Sequence, residues 1–202
     1  MSQTPLVEMK NMNVSFGGVH AVENVSIDLQ AGEILGLVGG NGAGKSTLIK
    51  NLSGAQRPDS GEIRINGERC EIHSPRDATA LPVERIDQTL ALAENIDAPG
   101  NMFLGRELTT QWGNLDDTAM ESAARSVMGR LNPKFENFKV PVASLSGGQR
   151  QSVAIARAVH FNARIVIMDE PHAALGPDET EQVRQLVRQL KREGIGIILI
   201  SH

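Results

Sequence analysis

Tyrosine is missing from the 202-residue chain, and aromatic side chains make up only 3% of it, as five phenylalanines and Trp112. Any stacking platform has to come from those few rings. Cysteine is limited to Cys70, which excludes an internal disulfide. With no signal peptide in "MSQTPLVEMK", that points to a reducing cytoplasm. Long apolar runs are missing as well. "IVIM" and "IIL" fall far short of the roughly 20 residues of a membrane span, so the chain by itself is not expected to cross a membrane. Nor is there a basic excess: 20 Lys and Arg against 24 Asp and Glu give a net charge of −4, which argues against a dedicated nucleic-acid binder. Internal repeats and low-complexity segments are absent. What is present, 40% apolar and 22% charged residues, is the balance of a globular domain with one sizeable core.

Periodicity lays out an α/β chain. "VEMKNMNVSF" and "ENVSIDL" alternate as strands, separated by the turn Gly17-Gly18. "GEILGLVG" is a nearly continuous apolar run ending in glycines, the pattern of a buried parallel strand, and a helix follows through "STLIKNLSG". "GEIRINGERCEI" predicts a hairpin around Asn66-Gly67. "SPRDATAL" predicts a helix with Ser74 as N-cap, Pro75 at its first position and Asp77 in its first turn. From about 93 to 143 the character turns to polar loops and helices, clearest in "AMESAARSVMGRL", and reads as an inserted helical subdomain. The core resumes with a helix through "QSVAIARAVHF", the strand "RIVIMDE", the helix "DETEQVRQLVRQLKRE" and the buried strand "GIGIILIS". In that last helix Val183, Leu186, Val187 and Leu190 share one face, the charges form a solvated face, and Gly194 is the stop.

Residues 39–47, "GGNGAGKST", match Gly-x4-Gly-Lys-Ser between an apolar strand and an amphipathic helix. Gly39, Gly40, Gly42 and Gly44 let the backbone, with Asn41 and Ala43, turn its N–H groups around phosphate oxygens. They do so at the positive end of the helix that Lys45, Ser46 and Thr47 open. Lys45 would reach the β- and γ-phosphates of a nucleotide, and the Ser46 hydroxyl would ligate Mg²⁺. A flexible glycine turn is the bland alternative, and the flanking strand and helix weigh against it. "LSGGQRQ", 145–151, opens another helix with Ser146 as cap and two glycines that expose backbone N–H groups. It reads either as an ordinary helix start or, beside the first loop, as a second anion-receptive start on another face of the nucleotide.

Taken in order, "GGNGAGKST", "LSGGQRQ", "IVIMDEP" and a terminal "SH" make the chain resemble, over essentially its whole length, the ATP-binding subunits of ABC transporters. "AENIDAPGNMFLGRE" is similar to the bacterial sugar-uptake branch. The resemblance implies a P-loop NTPase (RecA-like) α/β core with an N-terminal antiparallel β subdomain, about 1–92 and 144–202, and an inserted α-helical subdomain, about 93–143. It implies an ATPase that binds ATP and Mg²⁺ and powers import, of a sugar, through membrane permease subunits at the inner face of the cell membrane. A solute-binding protein would be an indirect partner, and nucleic acid none. It also implies a head-to-tail homodimer, in which residues 39–47 of one subunit and Ser146, Gly147, Gly148 and Gln149 of the other sandwich each ATP.

The same resemblance assigns single residues. Gln88 would touch Mg²⁺ and the attacking water, and its loop would sense the permease. Phe16 stands where the family stacks an aromatic on adenine, a core phenylalanine at a strand end being the other reading. Asp169 would orient Mg²⁺, usually through water, and Glu170 would polarise the water that attacks the γ-phosphate. Without the family, that pair reads equally as a strand end or a cap. His202 would hydrogen-bond the γ-phosphate.

Some positions depart from the family pattern. Relatives continue for several elements past the equivalent of His202, so the chain reads as truncated. Its last strand would be left with an exposed edge, and the α-carboxylate of His202 would come near a phosphate. Gly40 replaces a common acidic residue or proline. Pro82, tolerable at a strand start, and Asp87, costly if buried without a partner, flank the strand before Gln88. His172 replaces a threonine or serine and would titrate near neutrality beside Glu170. Gly176 replaces an aspartate that sugar-uptake relatives also often lack. These departures leave two rivals standing: a nucleotide-binding module that hydrolyses weakly, and a non-transport ABC ATPase of DNA repair or translation. The short insertion and the acidic balance weigh against the second. Elsewhere, "NPKFENFKV" is expected to pack Phe135 and Phe138 in a small satellite core. Cys70 reads as an incidental strand residue, and His20, His73 and His160 lack metal-ligand spacing.

Overall fold

In the computed structural model, residues 4–87, 89–172 and 175–201 are described. The first strand, β1 (Val7–Phe16), carries apolar residues at 7 and 9 and then at 12 and 14, a change of phase. A register shift between Met9 and Met12, with Asn11 at φ +50, absorbs that change, so Val7, Met9, Met12 and Val14 all face the core. β2 (Val19–Leu29) returns antiparallel across the turn at Gly17 and Gly18, as expected. β3 (Ile34–Val38) leads through the glycine loop into α1 (Lys45–Leu52). β4 (Ser60–Ile65) and β5 (Glu68–Cys70) form the predicted hairpin. Asn66 at φ +53 and Gly67 at φ +82 take the two left-handed positions of its turn. α2 (Pro75–Thr79) starts as predicted, its Ser74 side chain accepting from the Asp77 amide. β6 (Val83–Ile86) follows directly after Pro82, whose carbonyl accepts from the Arg164 and Ile165 amides at 2.9 and 3.0 Å, so the proline is well placed at a strand start.

Contacts divide the chain into two units. The first takes Met1–Arg85, Ala163–Glu170 and Leu190–His202. It holds an antiparallel sheet in the order β2-β1-β4-β5. The second sheet, in the order β3-β8-β7-β6, is completed by β7 (Ile165–Asp169) and β8 (Gly196–Ser201), which pair in parallel with each other and, for β8, with β3. Both sheets and α1 contribute to one core, with Met9, Ile49, Leu52, Ile165, Ile167 and Ile198 fully buried. Each such side chain contributes roughly 1.5–3 kcal/mol by leaving water.

Two expectations about this sheet are overturned. β8 lies between β3 and β7 rather than exposing an edge, and β3, read as a buried strand, is at the edge of the sheet that the described residues form. Its residues are partly exposed, Val38 at 75%. A continuous apolar run records a strand's composition and not its place in the sheet order.

The second unit takes Ile86–Asn162 and Pro171–Gln189. α3 (Ala98–Phe103), α4 (Asp117–Leu131) and α5 (Gly147–His160) pack on one another here. Asn101, fully buried, ties the chain entering α3: its Oδ1 accepts from the Ala93 amide at 2.7 Å, and its Nδ2 donates to the carbonyls of Ala93, Ile96 and Asp97 at 3.0 Å each. Phe135 and Phe138 form the expected satellite core, edge to face with centroids 4.9 Å apart. α6 (Pro177–Arg192) buries Val183, Leu186, Val187 and Leu190 as its periodicity predicts. Gly194, at φ +81, ends it, its amide bonding to Lys191 and the next to Leu190. The α/β class and the N-terminal antiparallel sheet read from the sequence are present, and so is a helical unit, but it is wider than the expected 93–143 and takes in α5 and residues 171–189, which were read as core. Among the described residues, no helix is long and apolar enough to cross a membrane.

Candidate functional site

Between β3 and α1, the glycine loop makes a cradle that a side chain would fill. Gly42 and Gly44 adopt φ +84 and +82, a region that costs any other residue roughly 1–2 kcal/mol. A Cβ on Gly44 would overlap the carbonyl oxygen of Ala21. Ala21 is the extra residue of a bulge in β2, since Val14 pairs with Val22 while Ser15 pairs with His20. Gly44 is also the N-cap of α1, and no side chain caps that end. Its first-turn N–H groups are therefore directed outward with the positive end of the helix, a fit for phosphate oxygens. The Lys45 ammonium bonds to the Gly39 carbonyl and, at 3.1 Å, to the Gly40 carbonyl, closing the loop on itself. The Ala43 amide also bonds to Gly40. Asn41, Gly42, Ala43 and Ser46 are exposed, and Thr47 is half-buried. A cavity of about 560 Å³, lined among others by Ala21, Val22, Leu37, Gly44 and Lys45, adjoins this loop. Phe16, at the end of β1, is 50% exposed and is not a core phenylalanine; it lies outside that lining.

The two carboxylates stand on the same edge of the parallel sheet. Val38 pairs with Ser201 and Asp169 with Ile200, so β3 and β7 end level on either side of β8, about 10 Å apart at the ordinary strand spacing. Ligands of open α/β sheets bind at such carboxyl ends. Glu170 takes φ +47, while its amide still bonds to the Ile200 carbonyl at 3.1 Å. A glutamate held in the left-handed region is strained, and such strain collects at functional sites. Asp169 Oδ2 accepts from Arg85 Nη2 at 3.1 Å, with both side chains largely buried. The Ser46 hydroxyl and the Asp169 carboxylate are hard oxygen donors of the kind Mg²⁺ takes. Among the described residues there is no cluster of three His, Cys, Asp or Glu side chains. Gln88 and His202 lie outside the described residues.

In the second unit, Ser146 caps α5 as expected, and Gln149 completes a capping box. The Gln149 amide donates to Ser146 Oγ at 3.3 Å, and the Ser146 amide donates to Gln149 Oε1 at 3.1 Å. The glycines between them leave room that two flexible side chains occupy. A Cβ on Gly147 would meet Leu175 Cδ2 at 2.5 Å, and one on Gly148 would meet Gln182 Oε1 at 2.6 Å. Through that gap Glu179 reaches the segment: Oε1 accepts from the Gly148 amide at 3.4 Å and Oε2 from the Gly176 amide at 3.2 Å. The Gly176 amide foremost, then those of Gly148 and Gly147 and the Ser146 hydroxyl, hold the Glu179 carboxyl below its ordinary value against an opposing effect of burial. Read from the sequence as part of a solvated face, Glu179 instead binds the start of α5.

Arg85 and Glu179 are the residues that sequence reasoning missed. A charged pair, Glu84-Arg85, inside a four-residue strand was the signal for the first; the second had none beyond the acidic first turn. Asp87 is only partly buried, so the expected burial cost is smaller than feared. His172 is exposed, and shielding together with the Arg184 guanidinium lowers its imidazole below the ordinary value, away from the expected titration near neutrality.

The family described as ABC transporter matches residues 22–173. Fructose import ATP-binding protein FrcA of Rhizobium meliloti is 43% identical over 209 residues, covering 100% of this chain and 80% of FrcA. Ribose import ATP-binding protein RbsA 1 of Burkholderia ambifaria is 46% identical over 205 residues, covering 100% of this chain but 40% of that protein. Among solved structures, the ADP conformation of MJ1267, an ATP-binding cassette of an ABC transporter, superposes with a TM-score of 0.85 at 25% identity. The match covers 98% of this chain and 81% of that one.

Proposed function

The chain belongs to the ABC transporter family, and from that membership we propose that it hydrolyses ATP to drive sugar import through a membrane permease. One observation carries the ATPase part: the anion-fitting loop and the strained Glu170 end level on one edge of a single parallel sheet. The sugar part is supported by the 43% identity to a fructose import protein.

In this reading the amides of residues 39–44 and the first turn of α1 hold the phosphates, and Lys45 turns from its own loop carbonyls to the β- and γ-oxygens. Ser46 and Asp169, with Gln88, would hold Mg²⁺, which would supply charge neutralisation of the phosphates. Glu170 accepts a proton from a water whose oxygen attacks the γ-phosphorus. The bond from that phosphorus to the β–γ bridging oxygen breaks, and ADP and inorganic phosphate leave. His202 bonds the γ-phosphate, and Phe16 stacks on the base. Ser146, Gly147, Gly148 and Gln149 of a second, head-to-tail copy close over the same nucleotide. The chain works at the inner face of the membrane, on the permease, with a solute-binding protein upstream. The Asp169 pair with Arg85 favours a second reading, a chain that binds nucleotide and turns it over weakly.

Phosphate release from the chain with its permease, with and without Glu170→Gln, tests the proposal. The variant is expected to keep ATP binding and to lose about 10²–10⁴-fold in turnover, the usual worth of a general base. Unchanged turnover would overturn the assignment, and a wild-type rate at the variant's level would favour the second reading.

A further inference from the structure

β6 is a short strand with two charged residues, Glu84 and Arg85, in its middle, and Arg85 pairs with a carboxylate of the candidate site. Arg85 Nη2 lies 3.1 Å from Asp169 Oδ2, and the side chains are only 23% and 20% exposed. A guanidinium keeps its charge at any pH the protein meets. Largely buried ion pairs of this kind are weak contributors to stability, because desolvation offsets most of the attraction. A purely structural account of Arg85 is therefore thin. Its position offers another: Asp169 is the carboxylate that the proposed function gives to Mg²⁺.

We propose that Arg85 is a resident cation at the metal position, a positioning residue that competes with Mg²⁺ for Asp169 and makes nucleotide binding less dependent on the metal. The inference rests on the ATP-binding reading above. Two consequences of the same charge act in one direction. Mg²⁺ has to share Asp169 with a fixed positive group, which weakens its hold. A triphosphate arriving without metal meets a carboxylate already neutralised, so it is repelled less. The ratio of nucleotide affinity with Mg²⁺ to that without it is thereby compressed. One unit charge at about 4 Å is worth roughly fivefold in a water-like dielectric and more where water is partly excluded. Removing it should widen the ratio about tenfold.

The test is equilibrium binding of a fluorescent ATP analogue, in Mg²⁺ and in chelator, to the wild-type chain, Arg85→Met and Arg85→Lys. Arg85→Met is expected to raise the ratio of the two dissociation constants about tenfold. Arg85→Lys, which keeps the charge without the fork, should stay within about threefold of wild type. Equal ratios in wild type and a folded Arg85→Met overturn the inference, as does a lysine variant that behaves like the methionine one. If Arg85→Met fails to fold by thermal melting, Arg85→Gln carries the same comparison. Should the wild-type chain bind the analogue in neither buffer, or Lys45→Ala bind it as well as wild type, the ATP-binding reading fails and this inference falls with it.

Discussion

Three glycines of one loop should respond to the same substitution in three different ways. Gly40→Ala places a methyl group where nothing lies within 4 Å and where φ is not left-handed. Its only effect is to narrow the unfolded ensemble, so stability should hold or rise by about 0.4–1 kcal/mol. Gly42→Ala also enters open space, but at φ +84, and should cost roughly 1–2 kcal/mol of backbone strain. Gly44→Ala adds that same strain at φ +82 to a direct overlap with the Ala21 carbonyl, with Val22 Cγ2 at 3.4 Å behind it. Overpacking of this kind typically costs about 1–3 kcal/mol, for a total of about 2–5. Urea denaturation gives the order, and binding of a fluorescent ATP analogue gives the consequence. Gly40→Ala is expected to bind like wild type and Gly44→Ala not to bind. If Gly42→Ala and Gly44→Ala lose equal stability, the Ala21 bulge yields and does not shape the loop. If Gly40→Ala is as damaging as Gly44→Ala, the reading of the cradle is wrong.

Other outcomes follow from single contacts. Asn101→Ala should destabilise the second unit by about 1–3 kcal/mol, because it takes the side-chain partner from the Ala93 amide in a partly buried place, while the Ala93, Ile96 and Asp97 carbonyls keep backbone partners. Amide exchange at Ala93 should accelerate with it, and a loss under 1 kcal/mol would show that water replaces the side chain. Ser146→Ala removes the cap of α5 and should cost about 1 kcal/mol, read from denaturation; no loss would mean that Gln149 and Glu179 suffice. Glu179 carries a pH signature. Its carboxyl is lowered on folding from an ordinary 4.5, so its contribution is fully present above pH 4.5 and is lost as pH falls through the folded value. The stability difference between wild type and Glu179→Gln should therefore shrink below about pH 4.5. A difference constant from pH 7 to pH 3 would discount the amide contacts.

Local chemistry was legible in the sequence and partnership was not. Ser74, Asn66-Gly67, Ser146 and Gly194 do what their types require within a few residues of themselves, and each was readable. The same holds for the buried face of α6, where the period alone names Val183, Leu186, Val187 and Leu190. Sheet order has no such local trace. β3 and β8 have equally apolar sequences, yet among the described strands β3 has one neighbour and β8 has two, because that depends on where a strand more than a hundred residues away inserts. Arg85 and Asp169 are 84 residues apart and Gly148 and Glu179 31, and nothing in either segment announces the other.

The carboxylate pair shows how the two kinds of information combine. In an extended strand, neighbouring side chains point to opposite faces, so Asp169 and Glu170 could not both serve one centre if β7 simply continued. The strand stops at Asp169, and Glu170 turns to φ +47 while its amide keeps the bond to Ile200. That turn releases Glu170 from the alternation without detaching it from the sheet. The strain of about 1–3 kcal/mol that such a conformation carries is the reason to expect a function for it. Glu170→Gly should relieve that strain. A glycine chain that is more stable than wild type yet cannot turn over ATP would separate the two roles of the residue. A glycine chain no more stable would mean that the left-handed turn is held at no cost, and the inference from strain to catalysis would lose its footing.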